Sequence, residues 1–127
     1  MNAPNISESE WTVMEALWSE SPQTASAVAK ALQESTEWAE NTVRTLLTRL
    51  VEKGALEIEE SGTGPKRYLP AVRRETCVKA ESESFLERVF QGAAKPLLVH
   101  FARNSRLTSD EVRELKKLLD QSIEKTP

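Results

Sequence analysis

The chain has 127 residues, with 17 basic and 20 acidic side chains, one histidine and one cysteine, the size of one domain or of a small domain with an appendage. One cysteine excludes an internal disulfide and one histidine excludes a metal site built from several imidazoles, so neither a metal nor a cofactor is expected. Purely apolar runs reach three residues, as at Leu97–Val99, which excludes a membrane span; Met1–Ser9 has neither the basic nor the apolar region of a secretory signal, so a cytoplasmic protein is expected.

Taken in order, the first element is a helix that starts at a capping box. Ser7 and Glu10 have the spacing at which hydroxyl and carboxylate satisfy each other's backbone N–H. Trp11, Met14, Leu17 and Trp18 follow at helical spacing, and Ser21-Pro22 closes the run. A second helix begins near Thr24 as N-cap and sets Ala25, Val28, Ala31 and Leu32 on one face, stopping between Gln33 and Thr36. Trp38 stands in the connection.

The third helix, about 40–53, carries Val43, Leu46, Leu47, Leu50 and Val51 on its apolar side, and Gly54 stands where a left-handed C-cap belongs. At about 100° per residue the other side shows Asn41, Thr45, Thr48 and Glu52, with Thr42 and Arg49 on one shoulder and Arg44 on the other. Short hydrogen-bonding side chains and arginines are what a helix needs to read base edges in a major groove. The competing reading is an ordinary amphipathic helix whose polar face meets water.

The period then changes to alternation. Leu56 and Ile58 alternate with Glu57 and Glu59, a turn follows at Ser61-Gly62-Thr63-Gly64-Pro65, and Lys66–Val72 resumes an extended pattern around Tyr68. Pro70 limits that strand to a sheet edge or a strand end. Three helices and a hairpin have the order of a winged helix-turn-helix, and Lys66 and Arg67 at the wing suit phosphate contact. From Arg73 the pattern is helical again. Val78, Phe85, Leu86, Val89 and Phe90 line one helix ended by Gly92; Pro96 opens a short one with Leu97, Leu98, Val99, Phe101 and Ala102. A second capping box, Thr108 with Glu111, begins the last, which carries Val112, Leu115, Leu118, Leu119 and Ile123.

The predicted architecture is mainly α with a small β-hairpin wing: a winged-helix DNA-binding head over 1–72 and a three-helix dimerisation tail over 73–127. Three short helices bury little alone, so Phe85, Val89, Leu98, Phe101, Val112, Leu115 and Leu119 are assigned to a homodimer interface. The head holds 6 basic and 11 acidic side chains, a net of −5, and the tail 11 and 9, a net of +2. A DNA-binding head with that balance depends on local charge: Arg44, Arg49 and Lys53 on one segment, Lys66, Arg67, Arg73 and Arg74 on the next. Residues Asn41, Thr42, Arg44, Thr45, Thr48, Arg49, Lys66 and Arg67 are the candidate contacts to a double-stranded DNA operator. Catalysis is not expected. Cys77 lies within a helix with no histidine nearby in sequence, and Gly62-Thr63-Gly64 lacks the setting of a phosphate loop. Two further readings stay open: a winged-helix module that docks a protein and binds no DNA, and a repressor with an effector pocket among the tail helices.

Glu10-Trp11, Val13-Met14 and Trp18, and above all the block Thr42-Val43-Arg44-Thr45-Leu46-Leu47-Thr48-Arg49-Leu50 followed by Lys53-Gly54, resemble the penicillinase-repressor (BlaI/MecI/CopY) family over nearly the whole chain. The resemblance implies a dimeric winged-helix repressor of an inverted-repeat operator, often autoregulatory, with Thr42, Arg44, Thr45 and Arg49 on the DNA-facing helix. Many relatives have Ser-Pro where this chain has Ala39-Glu40, which removes an N-cap side chain and adds a negative charge beside the DNA. Antibiotic-sensing relatives are cut by a sensor protease at an Asn-Phe bond; here the matching positions are His100 and Phe101, which makes such a protease a candidate partner. The Cys-x-Cys pairs of copper-sensing relatives are missing.

Overall fold

A computed structural model describes residues 3–60, 62–104 and 106–124, with side chains to Gln121. The chain divides into two compact units, 1–81 and 82–127.

The first unit is built from α1 (Glu8–Ser19), β1 (Gln23–Thr24), α2 (Ala25–Thr36), α3 (Glu40–Glu52), β2 (Leu56–Glu59), β3 (Arg67–Pro70) and the first turns of α4 (Arg74–Phe90). Ser7 caps α1 as the spacing predicts: its hydroxyl accepts from Glu10 N at 3.2 Å and its N–H donates to Glu10 Oε1 at 2.8 Å. Thr24 caps α2 by accepting from Ala27 N. Ala39 precedes α3 with no side-chain cap, and the acidic Glu40 in the first turn suits the positive end of the helix dipole.

The three helices pack on one another around Val13, Met14, Leu17, Val28, Leu32, Val43, Leu46, Leu47 and Leu50, and Ala55, Leu56 and Tyr68 close the core from the sheet side. On α2 the buried alanine is Ala29, one turn after Ala25, while Ala31 is exposed. The stripe i, i+3, i+4, i+7 therefore describes this helix better than the predicted Ala31 position. Val51 is half-buried at the margin of α3.

The antiparallel sheet has the order β1-β3-β2. Two residues, Gln23 and Thr24, pair with Tyr68 and Arg67 and make β3 the central strand. Pro70 stands opposite Leu56 at the end of β3, beyond that pairing, so its missing N–H is tolerated at a strand end rather than an edge. The alternation of β2 is only half honoured: Leu56 is buried, but Ile58 is 39% exposed. Gly54 and Gly62 have φ of 82° and 81°, left-handed values that match the helix stop and the hairpin turn.

The unit continues past residue 72 for visible reasons. Trp18 Nε1 donates to Val72 O at 3.0 Å, Arg74 Nε donates to Glu15 Oε1 at 2.6 Å, and Cys77 joins the core at 2% exposure. Burial pushes the Cys77 thiol up, which fits a structural thiol and not a nucleophile. Trp11 and Trp18 meet edge to face, centroids 5.4 Å apart.

The second unit holds the remainder of α4, α5 (Ala94–Asn104) and α6 (Ser109–Glu124). The Thr108–Glu111 capping box opens α6 as predicted. Many of its apolar residues stay in water: Phe85, Val89, Val99, Phe101, Leu107, Val112, Leu115, Leu118 and Leu119 are exposed, while Leu86, Phe90, Leu97 and Leu98 are half-buried. The side chain of Ile123 lies outside the described residues.

One contact ties the N-terminal segment to the end of α3. Glu10 is 2% exposed, and Lys53 Nζ donates to Glu10 Oε1 at 2.5 Å and to Asn5 O at 2.7 Å. Burial raises the Glu10 carboxyl; hydrogen bonds from Lys53 and Ser7 outweigh it and hold the group below the usual carboxylate range. Glu10→Gln keeps the capping geometry, because glutamine also fits that position, and removes the charge partner of Lys53. The variant should lose about 1–3 kcal/mol in urea unfolding at pH 7, less than for a fully buried pair because Lys53 can rehydrate. Since the folded value lies below the unfolded one, the stabilisation is present above about pH 4.5 and is lost as pH falls through the folded value. The gap between wild type and variant should therefore close in acid, and a gap independent of pH would exclude this origin.

Candidate nucleic-acid interface

The face of α3 opposite the core is set by the same residues that bury it. With Val43, Leu46, Leu47 and Leu50 inward, Asn41, Thr42, Arg44, Thr45, Thr48 and Arg49 are all exposed. Asn41, Arg44, Thr45, Thr48, Arg49 and Glu52 line one shallow open depression along the helix. Thr45 donates its hydroxyl to Asn41 O and Thr48 to Arg44 O, both at 3.0 Å, which fixes each rotamer and leaves the oxygen free to accept.

A second depression brings together Thr24, Ala25 and Ser26 at the start of α2, Arg44 of α3, and Pro65, Lys66 and Tyr68 of the wing. Lys66 is thus brought beside Arg44, as the winged reading needs. Thr42 is exposed but lines neither depression. Arg67 lies on β3, opposite Glu59 of β2, and forms an ion pair with it.

The candidate cations are therefore unequal. Arg44 donates from Nε and Nη2 to Glu40 Oε2 at 2.9 and 2.7 Å; Arg67 pairs with Glu59, Lys53 with Glu10, and Arg74 with Glu15. Arg49 and Lys66 have no ion pair among the described residues. Counting arginines and lysines along the sequence overstates the charge on offer, since Lys53 serves the fold. The i, i+4 spacing of Glu40 and Arg44 was a readable signal for one of these pairs. Nothing in the sequence sets Glu59 opposite Arg67 until the register of the hairpin is known.

Elsewhere, His100 and Phe101 lie inside α5, where their rings meet at 5.8 Å and Asn104 Nδ2 donates to His100 O. A peptide bond inside a helix must be unwound before a protease can bind it extended. Among the described residues no group of three or more His, Cys, Asp or Glu could hold a metal ion, and no helix is long and apolar enough to cross a membrane.

Residues 6–121 match the family described as penicillinase repressor. The chain is 31% identical over 118 residues to the penicillinase repressor of Bacillus licheniformis, covering 93% of this chain and 91% of that one. It is 28% identical over 116 residues to the methicillin resistance regulatory protein MecI of Mammaliicoccus sciuri, covering 91% and 94%. The solution structure of monomeric Bacillus licheniformis BlaI in complex with the blaP half-operator is similar with a TM-score of 0.52 and 32% identity, over 60% of this chain and 93% of that one.

The unequal pairing has a measurable consequence. If DNA phosphates meet this face, Lys66→Ala should make the salt dependence of binding shallower by about one unit of slope. Arg67→Ala should change it less, because Glu59 already compensates that charge. Equal slopes for the two variants would show that the pairing does not survive on DNA.

Proposed function

This chain belongs to the penicillinase-repressor family, and from that membership we propose that it is a cytoplasmic DNA-binding transcriptional repressor which acts as a homodimer on an inverted-repeat operator. The family is one of repressors and not of enzymes. The observation that carries the proposal is the exposed row Asn41, Thr45, Thr48 and Arg49 on a helix whose opposite face is buried at Val43, Leu46, Leu47 and Leu50. A helix held this way can enter a major groove as a rigid edge, with the wing lysine beside it for the backbone.

On this reading Asn41, Thr45, Thr48 and Arg49 meet base edges, Arg44 stands at the border of helix and wing, and Thr42, Lys66 and Arg67 meet phosphates. Half-site centres would lie about one helical turn of DNA, or a multiple of it, apart. The exposed apolar side chains Phe85, Val89, Phe101, Val112, Leu115 and Leu119, with Leu98, support the pairing of two tails. A dimer holds the second head at high effective concentration over its half-site, so a signal that breaks the tails apart, such as cleavage at His100–Phe101 by a sensor protease, would release the operator. Autoregulation is part of the same proposal.

A protein-docking module is favoured by one observation: half of the cations of the head, Arg44, Lys53 and Arg67, are already paired with carboxylates. Titration against the DNA upstream of the protein's own gene, at two salt concentrations with excess competitor, separates the two. A competitor-resistant, salt-sensitive footprint on an inverted repeat is expected; binding with no salt dependence and no preference over competitor would favour docking.

Two variants test the parts. Arg49→Ala should weaken operator binding by about 1–3 kcal/mol and relax selectivity at one base position; an equal loss on all sequences would reassign Arg49 to phosphate. Leu115→Asp or Leu119→Asp should leave the head folded while lowering the dimer population and operator affinity together. Sedimentation showing an undisturbed dimer would remove α6 from the interface.

A further inference from the structure

We infer that Glu40 determines DNA specificity by positioning Arg44: it holds the guanidinium off the phosphates and presents it to a base edge. This rests on the DNA-binding reading above and goes beyond it, since it gives a carboxylate on the interface a role in selection.

Arg44 stands where two kinds of contact compete. It lines both the depression along α3 and the one between α2 and the wing, so on the DNA-binding reading base edges would lie on one side of it and backbone phosphates on the other. A guanidinium without restraint favours phosphate, which is present at every sequence and carries no information. Glu40 changes that balance. Its Oε2 accepts from both Nε and Nη2 of Arg44, at 2.9 and 2.7 Å. Of the five N–H donors of an arginine, two are occupied and the remaining three face away from the carboxylate.

Glu40 belongs to the first turn of α3, and the hydrogen bonds from Arg44 hold its carboxyl below the usual range against a smaller effect of desolvation, so it is charged at neutral pH. A charged Glu40 makes the pair neutral, and a neutral pair releases no counterion on binding. It also repels any phosphate that comes close. That penalty falls on all DNA, whereas a contact from the free edge of Arg44 to a matching base is gained on the operator alone. The ratio of specific to non-specific binding rises, although absolute affinity falls.

The test uses the full-length protein and four forms: wild type, Glu40→Gln, Arg44→Gln and the double variant. Each is titrated on an operator duplex and on a scrambled duplex of equal length at several salt concentrations, with circular dichroism confirming that each is folded. Glu40→Gln is expected to bind scrambled DNA about tenfold more tightly and the operator with a smaller gain, with a salt slope steeper by about one. In the Arg44→Gln background, replacing Glu40 should leave the ratio unchanged. An equal gain on both duplexes would make Glu40 a mere screening charge and overturn the inference. So would a change of ratio that persists without Arg44. A wild type with no operator preference takes down the DNA-binding reading and this one with it, whereas a selective wild type with an unaltered ratio in Glu40→Gln overturns this one alone.

Discussion

Val43, Leu46, Leu47 and Leu50 have to leave water together, and the apolar faces of α1 and α2 receive them through Met14, Leu17, Val28 and Leu32. That burial fixes the roll of α3 about its own axis, because turning the helix by one residue would bring about 100° of its polar side into the core. It fixes the height of α3 as well, through Lys53, which reaches back from the helix end to Glu10 and Asn5. A helix that is to be read from outside needs both constraints, since a base contact tolerates little displacement. The wing is tied to the same body: β3 pairs with Gln23 and Thr24 immediately before α2, so wing and helix pair form one rigid piece.

Charge follows a different logic. The head is acidic overall, yet part of its negative charge is taken up in ion pairs. Glu10, Glu15, Glu40 and Glu59 are each matched to one cation, whereas Arg49 on the face of α3 and Lys66 of the wing have no such match among the described residues. Net charge is therefore a poor guide to the potential on that face. What matters is which cations remain paired with a carboxylate when a phosphate approaches.

Much of the architecture was legible because it rests on local periodicity. The two capping boxes, the apolar stripe of α3 and the glycine stops need only neighbours in sequence, and each stands where the spacing placed it. The misses share a cause: they depend on partners far along the chain. Ala29 and not Ala31 is buried because α2 turns its i+4 position into the core. The strand at Gln23 is too short to show a period and exists only because β3 lies beside it. Lys53 reads as interface charge until Glu10, 43 residues earlier, is found against it. The candidate contacts on α3 were readable from one helical wheel, whereas the share of Ser26 and Tyr68 in the second depression required the fold.

The tryptophans divide the molecule in a way that chemistry alone does not. Trp11, Trp18 and Trp38 all belong to the first unit, as does Tyr68, while the second offers phenylalanine as its aromatic. The ultraviolet emission of this protein is thus a property of the head. Trp18, bonded to the Val72 carbonyl and packed edge-on to Trp11, reports the junction of α1 with the start of α4. The tail helices carry no indole of their own. One unit is bright and the other dark, so a change of emission on meeting DNA or on heating is read from the surroundings of the head's own indoles.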